Sequence, residues 1–167
     1  MSSAIQEAQD AMDAIAERFS TPEAAQRTLT VGVELAAGLK VEVDIRKHHL
    51  TVDEPKGLGG TDEGPSPVEL LLASLTTCQA ITYRMWAMKL GVALDTVAVE
   101  ADGDMDLRGL LGVDDAISPG FSALRLRVRL DGPEPPERYK ELAQVVDEHC
   151  PVLEFAGAQV PVERTIA

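Results

Sequence analysis

Two cysteines are the residues of this 167-residue chain best suited to nucleophilic or redox chemistry. Cys78 lies in the apolar stretch 67–90, and Cys150 begins the triplet Cys150-Pro151-Val152 at the end of a second helical pattern. Their separation of 72 residues excludes a local Cys-x-x-Cys redox loop or zinc knuckle. If the fold brings the sulfurs together, they form a dithiol that attacks a substrate and closes as a disulfide. Otherwise they are two small core residues.

The helical surroundings of Cys78 are apolar. At about 100° per residue, one side of the helix carries the following residues: Leu71, Leu75, Cys78, Ile81, Thr82 and Met85. An apolar environment raises the pKa of a thiol and makes it inert unless a cation or a hydrogen-bond donor lies nearby. The position of Cys78 alone therefore leaves core packing and catalysis both open.

Cys150 follows the end of a helix, and Pro151 biases it away from helical geometry. A helix C-terminus disfavours a thiolate, so Cys150 is better suited to resolve a disulfide than to attack first. Its neighbour His149 is not expected to act as a base for Cys150, because adjacent side chains on a helix point about 100° apart. It is interpreted as a surface residue.

Glu69 is interpreted as a capping residue. It stands three residues after Ser66, and Pro67 fits the first helical position, which is the pattern of a capping box. Within one helix Glu69 would lie about 13.5 Å along the axis from Cys78 and half a turn away, so it is not a partner for that thiol. Gly91 after Lys89 predicts the helix end.

Metal and nucleotide sites are not expected. His48 and His49 fall in a strand and point to opposite faces, and no His-x-x-x-His or Cys-x-x-Cys spacing occurs. The glycines of the loop 56–64 lack the lysine of a phosphate-binding loop. This loop is interpreted as a connector, with close backbone approach as the alternative. No cofactor is predicted.

Composition favours a single globular domain. Hydrophobic residues make up 45% of the chain, and the net charge is −13. This negative charge repels nucleic acid and anionic membrane surfaces, so neither is expected as a partner. No segment has the roughly 20 apolar residues that a membrane helix needs, and the N-terminus lacks the pattern of a secretory signal. With two cysteines and no disulfide framework, we expect a reducing cytoplasm.

Hydrophobic periodicity predicts an α+β chain. Besides the helix at 67–90, the predicted elements are a helix over 3–20, a hairpin over 27–45, a third strand at 49–52, strands at 96–101 and 122–130, a helix ending near 149, a short turn at 152–155 and a last strand over 160–166. The stretch 104–120 is predicted to be irregular.

The helix at 67–90 is apolar all round in its first turns, which predicts a homodimer packed at this region. Arg125, Arg127 and Arg129 are interpreted as a solvated sheet face rather than an anion site.

The run Gly64-Pro65-Ser66-Pro67-Val68-Glu69-Leu70 before Cys78, followed by Cys150-Pro151-Val152, resembles the OsmC/Ohr family of osmotically induced and organic-hydroperoxide-resistance proteins. The resemblance covers about residues 27–167 and leaves residues 1–26 as an N-terminal helical extension. It implies an OsmC-like α+β fold, with antiparallel sheets packed around long central helices in an intertwined homodimer, and sites at the dimer interface.

The resemblance also implies roles for the cysteines. By position, Cys78 is the peroxide-attacking thiolate and Cys150 the resolving thiol, and an external dithiol reopens their disulfide. The chain departs from the peroxidase pattern at Val68, where those members carry a glutamate, and Arg46 is the candidate for their thiolate-stabilising arginine by elimination. Two hypotheses follow: a thiol peroxidase acting on organic hydroperoxides, or a non-catalytic protein that binds a small hydrophobic or thiol ligand.

Overall fold

A computed structural model describes residues 3–35, 37–158 and 160–166 of the chain. The described residues fall into two compact units, one made of 17–73 and the other of 1–16 together with 74–167. Both units combine helices with an antiparallel sheet, as the predicted α+β class requires. None of the described helices has the length and apolar character that a membrane crossing demands.

The unit of residues 17–73 is built on a three-stranded antiparallel sheet. Its elements are α2 (Pro22–Ala25), β1 (Gly32–Glu34), β2 (Val41–Ile45), β3 (His48–Val52) and the first turns of α3 (Pro67–Lys89). The strand order is β1-β2-β3, which confirms the predicted hairpin and third strand. The first strand is shorter than predicted, however: its apolar face is uncovered, and Leu29 is 92% exposed.

The loop between β3 and α3 is held by a buried carboxylate. Asp53 is 1% exposed, and its oxygens accept hydrogen bonds from the Thr61 hydroxyl and from the backbone N–H groups of Glu54, Thr61 and Glu63. The loop glycines permit close backbone approach, since a Cβ on Gly60 would lie 1.8 Å from the Glu54 carbonyl oxygen. The loop is therefore a tightly folded element rather than a plain connector.

Helix α3 begins and ends where its capping signals predict. Glu69 accepts hydrogen bonds from the backbone N–H and the hydroxyl of Ser66 at 2.7 and 2.8 Å. Both bonds lower the pKa of Glu69 below its ordinary value, and the backbone bond contributes most. At the other end Gly91 has a φ of 62°, the left-handed conformation that terminates helices.

The second unit contains the rest of α3 and two long paired strands. Its further elements are α1 (Ser3–Arg18, of which 3–16 belong here), β4 (Thr96–Met105), α4 (Leu107–Leu110), β5 (Phe121–Asp131), α5 (Pro136–His149) and α6 (Pro151–Gly157). Strands β4 and β5 pair antiparallel, with Val97 opposite Leu130 on the apolar face. On the polar face Arg127 contacts Glu100 and Asp102, which confirms the predicted solvated face.

The core of this unit lies between α3 and α5. Its buried members are Tyr83, Ala87, Val92, Leu94, Leu142 and Val146. Val97 and Leu130 of the strands pack against it. This core fixes α5, and therefore the cysteine at its end, relative to the middle of α3.

Three further predictions differ from the structure. Strand β4 continues to Met105, and the stretch predicted to be irregular contains α4. The residues after Cys150 form the helix α6 instead of a short turn, because Pro151 occupies a first helical position. The predicted last strand is wrong: the described residues 160–166 form no strand. Among the described residues no strand pairs with this segment, and Val162 is 82% exposed.

Candidate functional site

Helix α3 and the junction of two further helices position the two cysteines. Cys78 lies in the middle of α3. Cys150 is the residue between α5 and α6, with extended dihedral angles of −89° and 108°. These angles break the helix at the residue before Pro151, as predicted. Beyond the break, the backbone N–H of Val152 in the first turn of α6 reaches the Cys78 sulfur on α3.

The fold brings the two sulfur atoms together. Both cysteines are free thiols, and their Sγ atoms lie 3.4 Å apart. A disulfide bond needs about 2.05 Å, so a small movement suffices to form one. Cys150 is 1% exposed, whereas Cys78 is half-buried. Of the two sulfurs, that of Cys78 is thus the more accessible to a substrate.

Opposing effects act on the ionisation of Cys78. Burial is the largest and raises the pKa of its thiol above the ordinary value. Two donors oppose this rise, since the backbone N–H of Val152 and the hydroxyl of Thr82 form hydrogen bonds to the sulfur. The N–H of Val152 belongs to the first turn of α6, where unpaired helical amides favour negative charge. The site therefore supplies two donors to a thiolate, but the effect of burial is larger and the pKa of Cys78 stays above its ordinary value.

An apolar cleft of about 440 Å³ opens beside Cys78. It is lined by Ser74, Thr77, Cys78, Ile81, Thr82, Met85, Trp86, His149 and Pro151. Ile81, Thr82 and Met85 confirm the predicted side of the helix, while Leu75 is 2% exposed and lies in the interior instead. No lysine or arginine from the described residues lines the cleft.

One wall of the cleft is an aromatic pair. The ring centroids of Trp86 and His149 lie 4.2 Å apart, and the Lys89 ammonium lies 4.2 Å from the Trp86 centroid. The Nδ1 of His149 lies 2.7 Å from the Val145 carbonyl oxygen. Since a carbonyl oxygen only accepts, Nδ1 is the donor of this hydrogen bond. His149 is exposed, as predicted, yet it also contributes to the wall of the cleft.

The remaining candidates lie elsewhere. Glu69 caps α3, and Val68 is 36% exposed in the first turn. Arg46 is exposed in the turn between β2 and β3, within the unit of residues 17–73. His49 contacts Asp44 and Glu42. In the described part of the chain, no three side chains of His, Cys, Asp or Glu are grouped so as to hold a metal ion.

Sequence reasoning missed two parts of the site. The Val152 amide has no side-chain signature, although a proline at a first helical position signals that free N–H groups follow. Trp86 lies about 80° around α3 from Cys78, so helical periodicity alone places it at the margin of that side. Its contact with His149 depends on where α5 ends.

Two adjacent thiols beside an apolar cleft, in an α+β fold, define a protein with a dithiol site. The family model described as OsmC-like protein matches residues 60–164, so this chain belongs to the OsmC-like family. This confirms the resemblance seen in the cysteine motifs. No curated protein matches the sequence.

Solved structures share this fold at low identity. An OsmC-like protein from Mycoplasma pneumoniae is 18% identical, with a TM-score of 0.68 over 79% of this chain and 89% of that one. The organic hydroperoxide resistance protein OsmC from Legionella pneumophila is 19% identical, with a TM-score of 0.60 over 78% and 90%. That from Elizabethkingia anophelis, with thiocyanate bound, is 18% identical, with a TM-score of 0.56 over 78% and 90%. The fold class is confirmed.

Proposed function

We propose that this protein reduces organic hydroperoxides to alcohols with Cys78 and Cys150 as its redox pair. The observation that carries the proposal is the 3.4 Å distance between two sulfurs that are 72 residues apart in the chain. The names of two similar structures, both organic hydroperoxide resistance proteins, support the choice of substrate.

The proposed reaction has three balanced steps. The Cys78 thiolate attacks the terminal oxygen of ROOH, the O–O bond breaks, and the departing alkoxide takes a proton to give ROH. Cys78 is left as a sulfenic acid. The Cys150 thiol then attacks the Cys78 sulfur, a disulfide forms, and water leaves. An external dithiol reduces this disulfide and is itself oxidised to a disulfide.

Each part of the cleft has a role in this proposal. The Val152 amide and Thr82 stabilise the Cys78 thiolate, which burial and the neighbouring Cys150 disfavour. Ile81, Met85 and Trp86 receive the apolar part of the hydroperoxide. Since Cys150 is fully buried, it waits behind Cys78 and reacts only after the sulfenic acid has formed.

We propose further that a homodimer covers the cleft. Ile81 and Met85 line it and remain 60% and 39% exposed in the single chain. A contiguous exposed apolar patch is typical of an interaction site. A second copy would enclose the cleft, exclude water and strengthen the electrostatic effect of the two donors.

The test is hydroperoxide turnover with cumene hydroperoxide and a small dithiol. Wild type is expected to turn over, whereas Cys78→Ser abolishes the activity. In the absence of the dithiol, Cys150→Ser still consumes one equivalent of hydroperoxide and accumulates a Cys78 sulfenic acid that dimedone traps. A wild type no faster than Cys78→Ser would contradict the proposal.

A second candidate is a non-catalytic protein that binds a small hydrophobic or thiol ligand in the same cleft. Val68 in place of the glutamate of peroxidase members favours it, as does the lack of lysine and arginine among the described residues that line the cleft. In that case both thiols stay titratable after exposure to hydroperoxide.

A further inference from the structure

His149 lines the cysteine cleft, and the reaction proposed above gives it no role. Its backbone adjoins Cys150, whose Sγ lies 3.4 Å from that of Cys78. Its ring lies against Trp86, with 4.2 Å between the two centroids. Trp86 is about 12 Å from Cys78 along the axis of α3. The imidazole therefore forms part of the wall that runs from the two sulfurs to Trp86.

The hydrogen bond to Val145 determines which nitrogen of His149 exchanges a proton. Nδ1 is the donor to the Val145 carbonyl oxygen, at 2.7 Å. Because this oxygen only accepts, Nδ1 keeps its proton whether the ring is neutral or charged, and Nε2 is the nitrogen that gains or loses one. His149 is exposed, so water can return a proton to the ring after it has been used.

Reduction of a hydroperoxide requires a proton inside this cleft. When the Cys78 thiolate attacks the terminal oxygen, the O–O bond breaks and its electron pair passes to the oxygen that carries the R group. This alkoxide is a strong base, and a positioned acid that protonates it lowers the barrier. None of the described residues that line the cleft is a lysine, arginine, aspartate or glutamate. Histidine is the side chain whose charge ordinarily changes between about pH 5 and 8, and His149 is the histidine among these residues.

We infer that His149 is the general acid of this reaction, and that its Nε2–H gives a proton to the alkoxide that leaves when Cys78 attacks the hydroperoxide. This role rests on the proposed function. The proton that the Cys78 thiol releases when the thiolate forms balances the one that the alkoxide gains, and neutral His149 then takes up a new proton from water. The products are the Cys78 sulfenic acid and ROH.

Two oxidants that differ in their leaving group test this role. With tert-butyl hydroperoxide the leaving group is tert-butoxide, which needs a proton, whereas peracetic acid releases acetate, which is stable without one. His149→Gln and His149→Phe should slow the oxidation of Cys78 by tert-butyl hydroperoxide on the order of 100-fold, a contribution typical of a general acid. Both variants should react with peracetic acid at the wild-type rate. The rates are measured by rapid-quench kinetics without a dithiol, and mass spectrometry counts the remaining Cys78 thiol.

Two controls separate proton transfer from a structural role. His149→Phe keeps an aromatic ring against Trp86, so this contact is preserved while the proton is lost. Glu148→Gln changes an exposed residue of α5 that does not line the cleft, and it should match wild type with both oxidants.

The possible failures are distinguishable. If either His149 variant keeps the wild-type rate with tert-butyl hydroperoxide, or slows by the same factor with both oxidants, His149 is not the general acid and the proposed function still stands. If neither oxidant oxidises Cys78 in the wild type, the proposed function fails, and the role of His149 fails with it.

Discussion

Cys78 combines an apolar surrounding with two hydrogen-bond donors, and its reactivity depends on the balance between them. Burial raises the pKa of its thiol, and the Val152 amide and the Thr82 hydroxyl act in the opposite direction. A lysine or arginine would shift this balance more strongly, but none from the described residues lines the cleft. Burial prevails and the neighbouring Cys150 adds to it, so the two donors limit the rise of the pKa without reversing it.

Removing the Thr82 hydroxyl tests that balance. Thr82→Val keeps the shape of this buried side chain and deletes one donor to the thiolate. We expect the apparent pKa of Cys78 to rise, since the thiolate loses one of the two donors that lower it. The measurement is the pH dependence of iodoacetamide alkylation at Cys78.

Thr76→Val is the control for this variant, because Thr76 lies on the same helix outside the lining of the cleft. Its pH profile should match that of wild type. An unchanged profile in Thr82→Val, or an equal shift in both variants, would rule out the Thr82 hydroxyl as a stabiliser of the thiolate.

At the scale of elements, the loop before α3 depends on a single carboxylate. Hydrogen bonds lower the pKa of Asp53 from 3.8 to about 2. The largest contribution comes from the Thr61 hydroxyl, and the rest comes from the backbone N–H groups of Glu63, Glu54 and Thr61. A carboxyl whose pKa is lower in the folded state stabilises the fold while it is ionised. This contribution is complete above about pH 4 and disappears as the pH falls from 3.8 towards 2.

Asp53→Asn tests this clamp. At pH 7 the variant should unfold at a lower urea concentration than wild type. This difference in urea midpoint should become smaller as the pH falls from 4 towards 2. Asp62→Asn in the same loop is the control, because Asp62 is exposed and its φ of 63° suits asparagine. If the difference in urea midpoint between Asp53→Asn and wild type stays constant down to pH 2, the role of the Asp53 charge is contradicted.

Local signals predicted the elements best. The capping pattern of Ser66 and Glu69, with Gly91 at the far end, fixed both ends of α3 because these interactions lie within a few residues of one another. The Cys78–Cys150 pair followed from family resemblance, since no local rule brings together residues so distant in the chain. The prediction of a last strand over 160–166 was wrong because a strand depends on a distant partner. Alternation of apolar residues indicates a β segment but does not show whether a partner strand is present.

At the scale of the whole molecule, the exposed apolar residues of α3 favour a dimer. Ile81→Asp places a charge where we propose that two copies meet. Sedimentation velocity should give a dimer for wild type and a monomer for this variant. Ile15→Asp on α1, where the isoleucine is 48% exposed, should remain dimeric. A well-folded monomeric wild type at micromolar concentration would contradict the homodimer.

The N-terminal extension provides a second test at this scale. We propose that residues 27–167 fold and act without residues 1–26. Most described side chains of α1 are exposed, so its removal uncovers little apolar surface. The truncated chain should retain turnover and lose only a small part of its stability, measured by thermal unfolding. Loss of cooperative unfolding would show that the extension is part of the domain.

The most direct test of the redox pair is a count of free thiols before and after one equivalent of cumene hydroperoxide. We predict two free thiols per chain before the treatment and none after it, with a mass loss of about 2 Da for the intramolecular disulfide. A dithiol should restore both thiols. If both remain free, or if only Cys78 is oxidised while Cys150 stays titratable, the two sulfurs do not act as a pair and the proposed mechanism is wrong.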